Sequence, residues 1–94
     1  EEVATKAIHY APKNNPWVYN NRARIRWTLK KYTPAAQDWK KAFTLKPDRS
    51  DFPYRIALAH EQLGQFKQAL TFARQALALA PDNKTYKALQ KRLD

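Results

Sequence analysis

The 94-residue sequence predicts an all-α fold, a solenoid of stacked helical hairpins with about six helices and no strand. Three observations point there. Leu45-Lys46-Pro47 returns thirty-four residues later as Leu79-Ala80-Pro81, and the same register pairs Tyr32 with Phe66, Ala35 with Ala69, Ala42 with Ala76, Phe43 with Leu77 and Asp48 with Asp82. A fixed period of that length marks a stack of supersecondary units. Within each unit the apolar residues recur at helical spacing, and nothing alternates with the period of two that a strand needs. Finally, small residues (Ala23, Ala35, Ala42, Ala69, Ala73, Ala76) are interleaved with large ones (Tyr32, Trp39, Phe43, Phe66, Phe72), which lets helices cross closely and still fill the space between pairs.

The elements follow in order. Residues 1–12 read as the last helix of a preceding repeat, since Ala7-Ile8-His9-Tyr10-Ala11-Pro12 echoes Ala42-Phe43-Thr44-Leu45-Lys46-Pro47. Its partner helix is missing, so the natural chain is expected to continue upstream. Repeat one is placed at 16–49. Asn15 is a good N-cap and Pro16 a good first residue for a helix running to about Leu29. Thr33 is then expected to cap a second helix, with Pro34 at its first position. Repeat two is placed at 50–83, with Ser50 as cap and Pro53 tolerated in the first turn, where backbone N–H groups have no intrahelical partner. Gly64, the sole glycine, is expected to end that helix in the left-handed region, and Lys30 occupies the same place one repeat earlier. Phe66 to about Leu79 forms the next helix. Residues 84–94 read as a capping helix with one apolar stripe, Tyr86, Leu89 and Leu93, and a wet face.

These residues carry a family resemblance. Tyr19-Asn20-Asn21-Arg22-Ala23, Tyr32, Ala35-Ala36, Asp38, Lys41-Ala42 and Leu45-Lys46-Pro47 resemble a tetratricopeptide repeat. Leu63-Gly64, Phe66, Ala69-Leu70, Ala76-Leu77 and Leu79-Ala80-Pro81 resemble a second. The resemblance implies a right-handed superhelix whose first helices line a concave groove, and a non-catalytic scaffold that binds a protein or peptide partner there. It is specific for fold and says little of the partner.

Helical spacing indicates which residues would face such a groove. Trp17, Asn20, Asn21, Arg24, Trp27 and Thr28 form one stripe on the first helix of repeat one; Asp51, Tyr54, Arg55, Leu58, Glu61 and Gln62 form the equivalent stripe in repeat two. Tryptophan and arginine are the residues that most often carry binding energy, and an asparagine amide can pair with a peptide backbone. The candidate partner-binding residues are therefore Trp17, Asn20, Asn21, Arg24, Trp27, Tyr54, Arg55 and Glu61. Some members of the family hold a peptide's terminal carboxylate with Lys, Asn and Arg on successive groove helices. Asn21 and Arg55 occupy two of those places. Asp51, however, stands where a lysine is needed and Arg24 replaces an asparagine, so the expectation is a groove that uses Arg24 and Arg55 for acidic or polar side chains. Arg22 and Arg26 point to the packed side, and Asp38 on the facing helix is the natural partner of Arg22.

Composition limits the alternatives. The formal charge of +10 favours acidic partners: carboxylate-rich peptides first, nucleic acid second. Arginine interleaved with tryptophan could also stack on unpaired bases, and exposed tryptophan could stack on sugar rings in an envelope polysaccharide-handling module. Against nucleic acid, the lysines scatter round all helix faces. There is no cysteine, and His9 and His60 are too far apart to ligate a metal from one helix, so no metal or cofactor is expected. No glycine-rich phosphate loop, no nucleophile with its base and no pair of carboxylates on one face suggests an enzyme. No apolar run is long enough to span a membrane, and nothing selects cytoplasm over periplasm.

Overall fold

A computed structural model describes residues 15–94. Five helices follow one another, α1 (Pro16–Thr28), α2 (Tyr32–Leu45), α3 (Asp51–Gln62), α4 (Phe66–Leu79) and α5 (Lys84–Leu93), and the described residues contain no strand. The helix expected in 1–12 lies outside the described residues. α1 packs on α2, α3 on α4, α2 on α3, and α5 on α4, so each helix is packed on the one before it.

The alanines let the pairs close. Ala23, Ala35, Ala42, Ala69, Ala73 and Ala76 are all fully buried. Around them Trp39, Phe52 and Ile56 form one core with Ala23, Ala35 and Ala42, while Ala57, Ala73 and Leu89 form a second. Phe72 packs against both and joins them. Phe66, expected inside, is 56% exposed, and Leu63 beside it is 38% exposed. Both sit at the α3–α4 turn, where their counterparts one repeat earlier are Tyr32, half-buried against Trp27, and the exposed Leu29.

The turns repeat as faithfully as the sequence. After α1 the Lys31 N–H bonds the Arg26 carbonyl at 2.8 Å and the Lys30 N–H bonds that of Trp27 at 2.9 Å. After α3, Gln65 N–H bonds His60 at 2.9 Å and Gly64 N–H bonds Glu61 at 3.1 Å. Both are the two-bond closure of a helix that ends in a left-handed residue. Lys30 (φ 61°) and Gly64 (φ 72°) supply it, as the spacing predicts.

The caps divide. Asn15 Oδ1 accepts the Trp17 N–H and Asn83 Oδ1 accepts that of Tyr86, both at 3.0 Å. Thr33 does not cap α2. The turn after α1 leads directly into α2, which opens at Tyr32 behind Lys31; the Lys31 carbonyl accepts from Ala35 N–H at 3.1 Å. Gln65 and Phe66 do the same for α4. Pro34 is then third in its helix, still among the residues with no N–H obligation. Ser50 precedes α3, but its backbone is already helical (φ −69°, ψ −25°) and its hydroxyl makes no cap. The Ser50 hydroxyl instead meets that of Tyr86 at 3.2 Å and ties the start of α3 to α5.

One buried charge is shared by two arginines. Asp38 is 3% exposed; its carboxylate accepts from Arg22 Nε at 2.9 Å, Arg22 Nη2 at 2.6 Å and Arg26 Nη1 at 3.1 Å. Arg22 and Arg26 lie four residues apart, one turn of α1, so both reach the same point on α2.

Two outcomes test this architecture. Lys30→Gly removes the steric cost of a side chain in the left-handed region, of order 1 kcal/mol, so thermal unfolding should move up by a few degrees; an unchanged or lower midpoint would mean that the Lys30 turn carries no strain. Asp38→Asn strips two guanidiniums of the carboxylate that they share, and denaturant unfolding should register a loss of at least about 2 kcal/mol. A loss under ~0.5 kcal/mol, the range of ordinary surface changes, contradicts the reading of Asp38 as the anchor of α1 on α2.

Candidate peptide groove

α1 and α3 run side by side with their N-terminal ends together, because Trp17 of α1 lies against Phe52 of α3, ring centroids 5.8 Å apart. The expected face is built from these two helices, and its residues fall into three groups.

The first group faces outward. Trp17 is 41% exposed. Asn21, Arg24 and Thr28 are exposed, and with Ile25 they line a shallow hollow of about 390 Å³. Among the described residues no acid pairs with Arg24, whose carbonyl accepts from the Thr28 hydroxyl at 3.1 Å.

The second group forms the floor. Trp39 is 1% exposed, and its Nε1–H donates to Asn20 Oδ1 at 2.9 Å. The Asn20 carboxamide oxygen is therefore occupied in holding a core tryptophan. Trp27 is half-buried, edge-on to Tyr32 at 4.9 Å and tilted against Trp39 at 5.9 Å. The Arg55 guanidinium lies 5.8 Å from the Trp39 ring centre. Trp27, Trp39, Arg55 and Leu58 together enclose a hollow of about 90 Å³, apolar on three sides with a cation at the fourth.

The third group turns to α5. Tyr54 packs on Tyr86 at 4.8 Å, and Glu61 takes a two-pronged ion pair from Arg92 at 2.7 and 2.8 Å. The structure thus brings Trp27 and Arg55 to one hollow, places Arg24 at another and Trp17 against Phe52 and Arg49, and engages Tyr54 and Glu61 with the neighbouring helix.

Sequence reasoning missed Arg49. From the turn before α3 it lies over the Trp17 ring at 4.9 Å and pairs with Asp51 through two bonds of 3.0 and 3.1 Å. A basic residue two positions before an acid that opens a helix was the available signal. The hydrogen bonds and charge of Asp51 hold the Arg49 pKa above its ordinary value. Glu61 does the same for Arg92, chiefly through its hydrogen bonds. Stability from a raised pKa is lost only as pH climbs through the folded value, far above neutrality, so neither pair makes the fold sensitive to pH near 7. His60, expected as a core residue, is 7% exposed; it stacks on Phe72 at 5.7 Å and its Nδ1 lies 2.7 Å from Gln65 Oε1. Among the described residues no group of acids and histidines could hold a metal ion, and no helix is long and apolar enough to cross a membrane.

Known proteins resemble the chain in sequence and fold. Heat shock protein STI1 of Saccharomyces cerevisiae is 33% identical over 86 residues, which is 92% of this chain and 15% of that protein. The chain thus spans about a sixth of the curated relatives that it matches. The TPR domain of Arabidopsis OM64 is 36% identical and superposes with a TM-score of 0.86 over 96% of this chain and 74% of that one. The second TPR domain of human RPAP3, solved in complex with the HSP70 peptide SGPTIEEVD, is 27% identical, with a TM-score of 0.87 over 98% of this chain and 76% of that one. The pattern of the tetratricopeptide repeat itself matches residues 26–93, and the chain belongs to that family.

Proposed function

We propose that the chain is a non-catalytic scaffold that binds an acidic, extended peptide segment along α1 and α3. The observation that carries this is Arg55. Among the described residues no carboxylate pairs with the guanidinium, which rests on a buried tryptophan and borders an apolar hollow. Four other arginines, Arg22, Arg26, Arg49 and Arg92, are ion-paired within the fold. Arg24 and Arg55 are left available to an incoming acid, and they share the face that carries Trp17 and Trp27. A cation with one face against an aromatic ring is partly desolvated already, so pairing with a carboxylate costs less than it would in open water.

The rest of the face suits a peptide. The hollow between Trp27 and Leu58 admits a small aliphatic side chain, and few directed polar groups beside an apolar pocket give both affinity and register. Asn21, exposed and carrying two donors and an acceptor, is free to pair with a partner backbone. That the human RPAP3 domain was solved with a peptide ending in EEVD supports an acidic ligand for this related chain. Tyr54 and Glu61 serve this face from behind by fixing α3 to α5, and Asn20 serves it by holding Trp39.

Titration of SGPTIEEVD while tryptophan fluorescence is followed tests the proposal. Arg55→Glu should weaken binding at least about tenfold, the equivalent of ~1.4 kcal/mol, with unfolding unchanged. Arg74→Glu, exposed on α4, changes net charge equally and should matter less than about twofold. Binding should weaken as salt rises. If Arg74→Glu abolishes binding and Arg55→Glu does not, the active surface is the other face of the solenoid.

A further inference from the structure

The groove face carries an exposed acid, Asp51, among its cations, and the geometry assigns it a role. Asp51 opens α3, and Arg55 follows one turn later on the same side. The two therefore lie about 6 Å apart along the axis. Asp51 binds Arg49 through both carboxylate oxygens, and Arg49 in turn covers Trp17. The pair is accessible: the side chain of Arg49 is 43% exposed and that of Asp51 34%. The Trp17 end of the groove thus presents a cation already neutralised and an acid still open to solvent. One turn further on, Arg55 presents a cation with no acid.

We propose that the Arg49–Asp51 pair is a specificity filter, which admits a basic or neutral partner residue at the Trp17 end while Arg55 takes an acidic one. This rests on the peptide-groove reading above and adds the pattern that the peptide must carry. A partner extended along α3 advances about 3.3 Å per residue. Two residues cover the distance from Arg55 to Asp51, so the recognised segment has its acid and its cation or neutral residue two positions apart. A second acid at that spacing meets Asp51, with Arg49 already engaged, and like charge at close range in a groove discriminates strongly between partners. The cation of a matching segment instead meets the outer edge of Asp51 and the exposed face of Trp17.

Two blocked peptides read this out whichever way the chain runs: Gly-Lys-Ile-Glu-Ile-Lys-Gly and Gly-Glu-Ile-Glu-Ile-Glu-Gly. The quantity measured is the ratio of their affinities. Asp51→Asn should shift the ratio toward the all-acidic peptide by about fivefold or more, and Arg49→Gln should shift it toward the lysine peptide by a similar factor. Asp82→Asn and Arg74→Gln make the same changes of net charge on exposed residues away from the groove, and should shift it less than about twofold. The filter is overturned if the groove variants move the ratio no further than these controls, since net charge alone then explains it. It is also overturned if Arg49→Gln and Asp51→Asn shift the ratio the same way. If SGPTIEEVD binding depends on Arg55 while the ratio stays fixed, the groove stands and only the filter falls. If Arg55→Glu has no effect and neither blocked peptide binds, the groove reading falls and the filter with it.

Discussion

The first hairpin is set by the charge of Asp38. A carboxylate at 3% exposure is tolerable only with full compensation, and two guanidiniums from adjacent turns of α1 provide it. The consequence reaches well beyond stability. α1 is weakly amphipathic, and Ala23 is its single fully buried residue. Apolar burial alone leaves such a helix free to rotate about its axis, because an alanine offers little preference. Arg22 and Arg26 remove that freedom on one side, and the Asn20 bond to Trp39 removes it on another. With the rotation fixed, Arg24 and Trp17 must face outward and Trp27 must lean over Trp39. The groove is thus oriented by a buried ion pair beneath it and by one hydrogen bond in its floor.

The fold was legible because its signals are redundant. The thirty-four-residue register, the alanine positions and the turn residues each specify the same stack, and Lys30 shows how strong that agreement is: a lysine takes the left-handed conformation that the register requires. The errors have a common cause. Thr33 and Ser50 were read as caps from residue type, yet helix starts follow from the turn that precedes them. The comparison of Tyr32 with Phe66 already contained the correct start of α2. Arg22 with Asp38 was readable because helical spacing sends both to one interface. Arg26 joining the same carboxylate, and Arg92 reaching Glu61, depend on side-chain reach and rotation, which spacing does not resolve.

Charge on the candidate face is distributed unevenly. A chain of +10 attracts any polyanion at long range, but such attraction does not tell one acidic partner from another. Discrimination comes from where cations are already neutralised. Arg49, Arg92, Arg22 and Arg26 are tied to carboxylates of the fold, while among the described residues no carboxylate pairs with Arg24 or Arg55. The net charge would bring a partner to the surface, and the pattern of paired and unpaired arginines would decide how it lies.

The repeat also shows what stands between α3 and α5 where the apolar hollow lies between α1 and α3. Trp27 and Glu61 are equivalent positions thirty-four residues apart, and Leu58 and Arg92 are equivalent in the same register. Trp27 and Leu58, which line one hollow, and Glu61 and Arg92, which form an ion pair, are therefore equivalent pairs of positions in successive layers. In the second layer a two-pronged ion pair at 2.7 and 2.8 Å closes the space. In the first, an indole and a leucine meet across a hollow of about 90 Å³ beside Arg55. At these two equivalent places the first layer has an indole and a leucine, and the second has an acid and an arginine that pair. The ion pair fastens α5 to α3, whereas the equivalent place between α1 and α3 keeps a space beside Arg55.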